Sequence, residues 1–274
     1  MNIHPGHCVA IFGGAVAGAE AAGLLARQGI YTVVFEQNAL PYGKIEDGLP
    51  KWHVKLRDKE EQKIDEKMQN PYVLYVPNIK LGRDLNFDEL VREWGFSAVL
   101  LAIGAWRYRP LPVAGIDDFV GKGLYYQNPF IYWFNHYHEP DFAGEQLEVH
   151  DGTVVVGGGL ASIDVIKALM IVTVGRALQQ HGHKVDVFEM EKHVPAKILQ
   201  HLNLTLADLG LKGCSLYYRR TVVNMPLTPI PEGADEKRLQ KAYEVRARMM
   251  NKLQSEFLFT FHDCHSPVDK IVEN

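Results

Sequence analysis

The stretch CVAIFGGAVAGAEAAGLLARQGIYTVVFEQ, Cys8–Gln37, decides the fold. Val9–Phe12 is a short apolar run, Gly13–Gly18 is a glycine-rich turn, and Ala19–Gln28 is an alanine-rich run of strong helix formers. Gly29 stops that helix, and Tyr31–Glu36 is a second, β-branched run that finishes on a carboxylate. Strand, glycine turn, helix, strand and terminal acid together make a dinucleotide-binding unit. Glycines let a pyrophosphate approach the backbone, and the helix N-terminus offers free N–H groups and a favourable dipole. The expected phosphate cradle is Gly13, Gly14, Ala15, Val16, Ala17 and Gly18. Glu36, with Gln37 beside it, is expected to accept the adenosine ribose hydroxyls. The motif departs from G-x-G-x-x-G at Ala15, whose methyl group either pushes the cofactor slightly or is tolerated if the local φ is negative.

A second copy follows in DGTVVVGGGLASIDVIKALMIVTVGRAL, Asp151–Leu178. Asp151-Gly152 is a turn signal, Thr153–Val156 an apolar strand, and Gly157–Gly159 the turn before a helix that starts at Leu160. The expected contacts are Gly157, Gly159, Leu160, Ala161 and Ser162, with Ser162 standing where a third glycine would be. Two such turns in one chain point to two bound dinucleotides, the usual pairing being a flavin with NAD(P)H. Between the copies, Tyr72–Val76 and Ala98–Ala102 read as strands, and Phe87–Trp94 as an amphipathic helix capped by Asn86.

The bulk properties are near the averages for soluble globular proteins. The 274 residues are 47% apolar and 23% charged, with a formal net charge of −4, which offers nothing to nucleic acid or an anionic membrane. The longest apolar run, Ala168–Gly175, is too short to span a bilayer and reads as part of a buried helix. The N-terminus lacks the features of a signal peptide, and three scattered cysteines make no disulfide framework, so a reducing, cytoplasmic setting is expected.

The order GGAVAG, VVFEQ, PYGKIEDGLPKWHVK, AIGAWRYRPLPVAG, FIYWFNHYHE, VVVGGGLASIDV and LYYRRTVVNMP resembles the adrenodoxin reductase and glutamate synthase small-subunit families. The likeness runs through nearly the whole chain apart from roughly 179–212. Those families are FAD-containing, NADPH-linked, ferredoxin reductase-like enzymes. The resemblance implies two Rossmann-like domains: an FAD-binding domain over 1–145 and an NAD(P)-binding domain over 146–274 with an insertion near 179–212. It implies that Gly43, Gly48 and Lys55 keep the spacing of a loop that wraps the flavin, with Glu46 where the family carries arginine. It makes Ala102 and Gly104 part of a second nucleotide-contacting segment, and sets Arg219 and Arg220 beside the NADPH 2′-phosphate. Electrons would pass from NADPH through FAD to an iron–sulfur partner, so no catalytic side chain is required. In the related families the chain returns to complete the flavin domain. Here that part is expected to be lacking, which raises a non-catalytic nucleotide-binding subunit, or half of a split redox enzyme, as the alternative.

Coenzyme preference rests on which strand follows the second glycine turn. If HKVDVFEM is that strand, Glu189 faces the ribose and NAD is favoured. If 179–212 is inserted, the strand is Leu216–Tyr218, and Arg219 and Arg220 meet a 2′-phosphate through charge-assisted bonds. The arginines are the preferred reading. Lys55–Gln69 and Asp235–Gln254 read as solvated helices, Arg246 and Arg248 included. No Cys-x-x-Cys is present, and no cysteine set suits an iron–sulfur cluster. The histidine groups at His4, His7 and Cys8, at His136 and His138, and at His262, Cys264 and His265 are expected to be solvated, with no metal site.

Overall fold

The computed structural model describes residues 6–264. The chain divides into two compact units, Met1–Pro112 and Val113–Asn274. The segment 113–145 thus groups with the second glycine turn.

In the first unit the chain runs β1 (Cys8–Phe12), α1 (Val16–Arg27), β2 (Tyr31–Phe35), α2 (Lys44–Asp47), α3 (Val54–Met68), β3 (Val73–Val76), α4 (Phe87–Glu93) and β4 (Ala98–Leu101). Its sheet has the order β3-β2-β1-β4, and every pair is parallel. Alternation along each strand sends side chains to opposite faces. Ala10, Phe12 and Phe35 pack with Leu90 of α4, whereas Ile11 and Val34 pack with Ala22 of α1. Cover on both faces of β1 and β2 explains why these two strands read as continuous apolar runs. Asn86 caps α4 as expected, its side chain accepting from the backbone N–H groups of Asp88 and Glu89. Strand order reverses between β1 and β4, so the crevice at their C-terminal ends is where such sheets take ligands.

The second unit runs α5 (Gln127–His136), β5 (Val154–Val156), α6 (Leu160–Gln180), α7 (Val187–His193), α8 (Pro195–His201), β6 (Ser215–Tyr218), α9 (Glu236–Phe257) and β7 (Thr260–Asp263). Its sheet is parallel in the order β5-β6-β7. Helix α6 carries the Ala168–Gly175 run in its buried middle. Helix α5 packs on it, with the Arg176 guanidinium 5.9 Å from the Trp133 ring centre.

The strand considered over His183–Met190 is not formed. Asp186 caps α7 by accepting from the Glu189 backbone N–H at 2.8 Å, so Glu189 lies in the first turn of a helix. The D-x-x-E spacing of a capping box carries that outcome, and the alternating Val185 and Val187 do not override it. Strand β6, not this segment, pairs directly with β5. The intervening residues form α7, α8 and a 3-10 turn at Ala207–Leu209. Among the described residues no helix is long and apolar enough to cross a membrane.

Candidate nucleotide sites

The first glycine turn is built by contacts that exclude side chains. A Cβ on Gly18 would stand 1.8 Å from the Gly13 carbonyl oxygen, so the third glycine lets α1 sit directly against the end of β1. Gly13, at φ +99°, lies against β4: a Cβ there would fall 2.4 Å from the Ala102 carbonyl oxygen. Ala15 has φ −72°, which an alanine adopts without strain, and its methyl group is directed toward Gly43 of the following loop. No side chain caps α1, and the exposed Val16 and Ala17 leave its N-terminus open to solvent. An uncapped helix start behind a side-chain-free turn suits the phosphates of a dinucleotide.

Glu36 is only 5% exposed and holds the turn together. Its Oε2 accepts from the Gly14 N–H at 2.8 Å and its Oε1 from the Asn38 N–H at 3.0 Å. A carboxylate has acceptor positions beyond these two, so ribose hydroxyls remain compatible with it. Neighbouring Tyr75 donates to the Ala39 carbonyl at 3.2 Å. Burial, and then the Glu36 carboxylate, push its phenol up to about 12. Gln37 is exposed beside this edge, and Gly104, at φ +73°, lies past the end of β4.

The loop expected to wrap a flavin has its own internal order. Gly43, at φ +49°, begins α2, and Gly48 ends it. Lys55 is exposed on α3. Glu46 pairs with Arg57, which also donates to the Leu49 carbonyl and lies 3.7 Å from Glu61. Helix α3 is therefore not a wholly solvated face, since Arg57 and Ile64 are buried. Lys44 donates to the Ala105 carbonyl and lies 5.3 Å from the Trp106 ring centre, tying this loop to the segment after β4.

In the second unit Gly157 donates its N–H to the Tyr217 carbonyl, fastening the turn to β6. A Cβ on Gly158 would stand 2.2 Å from Cε2 of Tyr218, so that ring lies against the turn only because Gly158 has no side chain. Gly159 precedes α6, again without a side-chain cap, and Leu160 and Ala161 are exposed at the helix start. Ser162 turns its hydroxyl back to the Gly159 carbonyl at 2.7 Å, satisfying the group internally.

The register pairs Val156 with Tyr217. Parallel pairing therefore brings Arg219 and Arg220 to the same sheet edge as Gly157–Gly159. Both arginines are exposed, and among the described residues neither guanidinium has a hydrogen-bond or ion-pair partner. Two free cations beside an uncapped glycine turn are the chemistry a phosphorylated ribose needs. Glu189, by contrast, projects from α7 and not from a strand of this sheet.

The remaining sequence expectations meet mixed outcomes. Arg246 is not a solvated residue of α9; it is 6% exposed and bonded to the segment after the arginine pair. His136 and His138 are half-buried in the packing of α5, His136 bonded to Glu139 at 2.9 Å and His138 edge-on to Phe188. His7 contacts the Ser97 hydroxyl, and His262 stacks on Tyr217 at 4.5 Å. His4 and His265 lie outside the described residues. Among the described residues no group of three or more His, Cys, Asp or Glu could hold a metal ion.

No protein-family model matches the chain. A probable ferredoxin/ferredoxin–NADP reductase of Mycobacterium leprae is 32% identical over 188 residues, 68% of this chain and 31% of that protein. The mitochondrial NADPH:adrenodoxin oxidoreductase of Arabidopsis thaliana is 27% identical over 54% of this chain and 29% of its own length. The glutamate synthase [NADPH] small chain of Mycobacterium tuberculosis is 28% identical over 58% and 32%. The chain thus matches about a third of the length of these curated relatives. Among solved structures, Mycobacterium tuberculosis FprA in complex with NADPH superposes with a TM-score of 0.60 at 18% identity, covering 94% of this chain and 59% of FprA. A His57Gln mutant of FprA gives 0.61 at 17% identity with the same coverage. These structural likenesses establish the fold.

Proposed function

We propose, from the premise that this chain is a distant homologue of ferredoxin–NADP reductases, adrenodoxin reductase and the glutamate synthase small chain, that it binds FAD and NADPH. It serves electron transfer from NADPH to an iron–sulfur partner. The observation that carries this reading is the register of β5 and β6, which sets Arg219 and Arg220 beside the second glycine turn. The two cofactors supply the redox chemistry when bound, so the residues of this chain need only bind, orient and neutralise charge.

Gly13–Gly18 and the start of α1 would hold the flavin pyrophosphate, with Glu36 fixing the turn and facing the ribose. Gly157–Ser162 and the start of α6 would hold the pyrophosphate of the nicotinamide nucleotide. Arg219 and Arg220 would receive its 2′-phosphate and so favour NADPH over NADH.

Replacing both arginines tests this directly. Charge-assisted hydrogen bonds contribute about 1.5–3 kcal/mol each. Arg219→Ala with Arg220→Ala is therefore expected to weaken NADPH binding by at least on the order of a hundredfold. NADH binding should stay within roughly threefold, since it lacks the phosphate. Equal losses for both coenzymes, read by calorimetry, would return the pair to an ordinary strand end.

A second reading is favoured by the outer strand β4. It is an edge of its sheet, with Leu100, Leu101 and Ile103 between 40% and 56% exposed at its end. On that reading the chain is a nucleotide-binding subunit whose flavin site another chain completes. Flavin retained only after co-purification with such a partner would select it.

A further inference from the structure

Arg246 stands in the middle of α9, where the opposite charges around it suggest a solvated residue. It is instead 6% exposed, and its guanidinium is spent on the segment that follows the arginine pair. One terminal nitrogen donates to the Val223 carbonyl at 2.8 Å and the other to the Thr228 carbonyl at 2.6 Å. Nε lies 3.4 Å from the Thr228 hydroxyl. Burying a permanent cation among neutral acceptors is costly, so such an arrangement marks a place where the fork geometry does something a hydrophobe would not.

The segment it holds is a strap over residues 221–228. Its N-terminal end leaves β6, which is paired on both sides. A 3-10 turn at Val222–Asn224 follows, braced by Asn224 Nδ2 donating to the Thr221 hydroxyl at 3.0 Å. Met225 and Leu227 are buried, at 0% and 4% exposure. Arg219 and Arg220 lie between a fixed strand and this fixed strap, with their own guanidinia exposed. Two long side chains meeting one phosphate lose less entropy when the backbone between them is already set.

We propose that Arg246 is the positioning residue for the arginine pair: by bridging the Val223 and Thr228 carbonyls it presets the backbone that presents Arg219 and Arg220 to a 2′-phosphate. The proposal rests on the reading of that pair as the phosphate site. Arg246 touches no part of the nucleotide; it acts through the strap. Lysine keeps the charge but offers one ammonium, which cannot reproduce the two-pronged bridge.

The test compares 2′,5′-ADP with 5′-AMP on the full 274-residue chain by calorimetry. The proteins are wild type, Arg246→Lys, Arg246→Met, and the double variant Arg219→Ala/Arg220→Ala. Arg246→Lys keeps the charge and carries the test if Arg246→Met does not fold. For Arg246→Lys the expected result is about a tenfold loss of 2′,5′-ADP affinity with 5′-AMP within about twofold of wild type. Unchanged preference for 2′,5′-ADP would overturn the positioning role, and so would an equal loss for both ligands, the mark of general destabilisation. If wild type shows no preference, or the double variant keeps it, the phosphate site itself fails and the positioning role with it. Loss of preference in the double variant but not in Arg246→Lys overturns the positioning role alone.

Discussion

At Gly18 one hydrogen in place of a methyl group decides whether α1 can meet β1. The Cβ of an alanine there would stand 1.8 Å from a backbone oxygen, a contact that no side-chain rotation relieves. Gly18→Ala is expected to cost more than about 4 kcal/mol, enough to deplete the folded state in a thermal or urea unfolding experiment. Ala15 behaves oppositely. Its φ of −72° suits any residue, and Ala15→Gly is expected to leave stability within roughly 0.5 kcal/mol of wild type, since glycine is also accepted at a helix cap. Tyr75 adds a pH signature. Its folded-state phenol is raised to about 12 against an ordinary value of 10.0. The folded protein therefore holds the proton that the unfolded chain releases, and this contribution is complete below the ordinary value and lost as pH rises through the folded one. Urea unfolding between these values should show stability falling with pH, and Tyr75→Phe should flatten that slope. An unchanged slope would place the titration elsewhere.

At the scale of elements, capping separates what the sequence discloses from what it conceals. The four strands of the first unit and its helices α1, α3 and α4 were all legible, because β-branched runs, an alanine-rich helix and the Asn86 cap each carry a local signal. The same holds for β5, α6 and β6 in the second unit. His183–Met190 reads as a strand, or as part of an insertion, because Val185 and Val187 alternate; the Asp186 cap on the Glu189 N–H emerges only in the structure. The cap prevails, and Asp186→Ala is expected to cost about 1 kcal/mol by removing the acceptor for the Glu189 N–H. A midpoint unchanged in urea would show that α7 is held by its packing alone. Arg246 was not legible, since its neighbours form ordinary surface pairs. Its burial comes from the 221–228 strap lying against α9, where Arg246 donates to the Val223 and Thr228 carbonyls, a tertiary event that no local window contains. The arginine pair was legible as a motif, but its place beside the glycine turn depends on the β5–β6 register, which only the fold supplies.

At the scale of the whole molecule, two parallel sheets each end a strand in a glycine turn and begin an uncapped helix there. Repetition of one device is the reason to expect two nucleotides and not one. The second unit adds the free cations, and the first adds the carboxylate fixed on its own turn. The chain matches about a third of the length of its curated relatives, so retention of a flavin by this chain bears most directly on the proposed function. The purified protein, incubated with FAD and freed of unbound cofactor, should show the visible flavin band. That band should bleach on anaerobic addition of NADPH, and more slowly with NADH. Protein that retains no flavin, or whose flavin band is untouched by NADPH, would contradict the two-nucleotide reading.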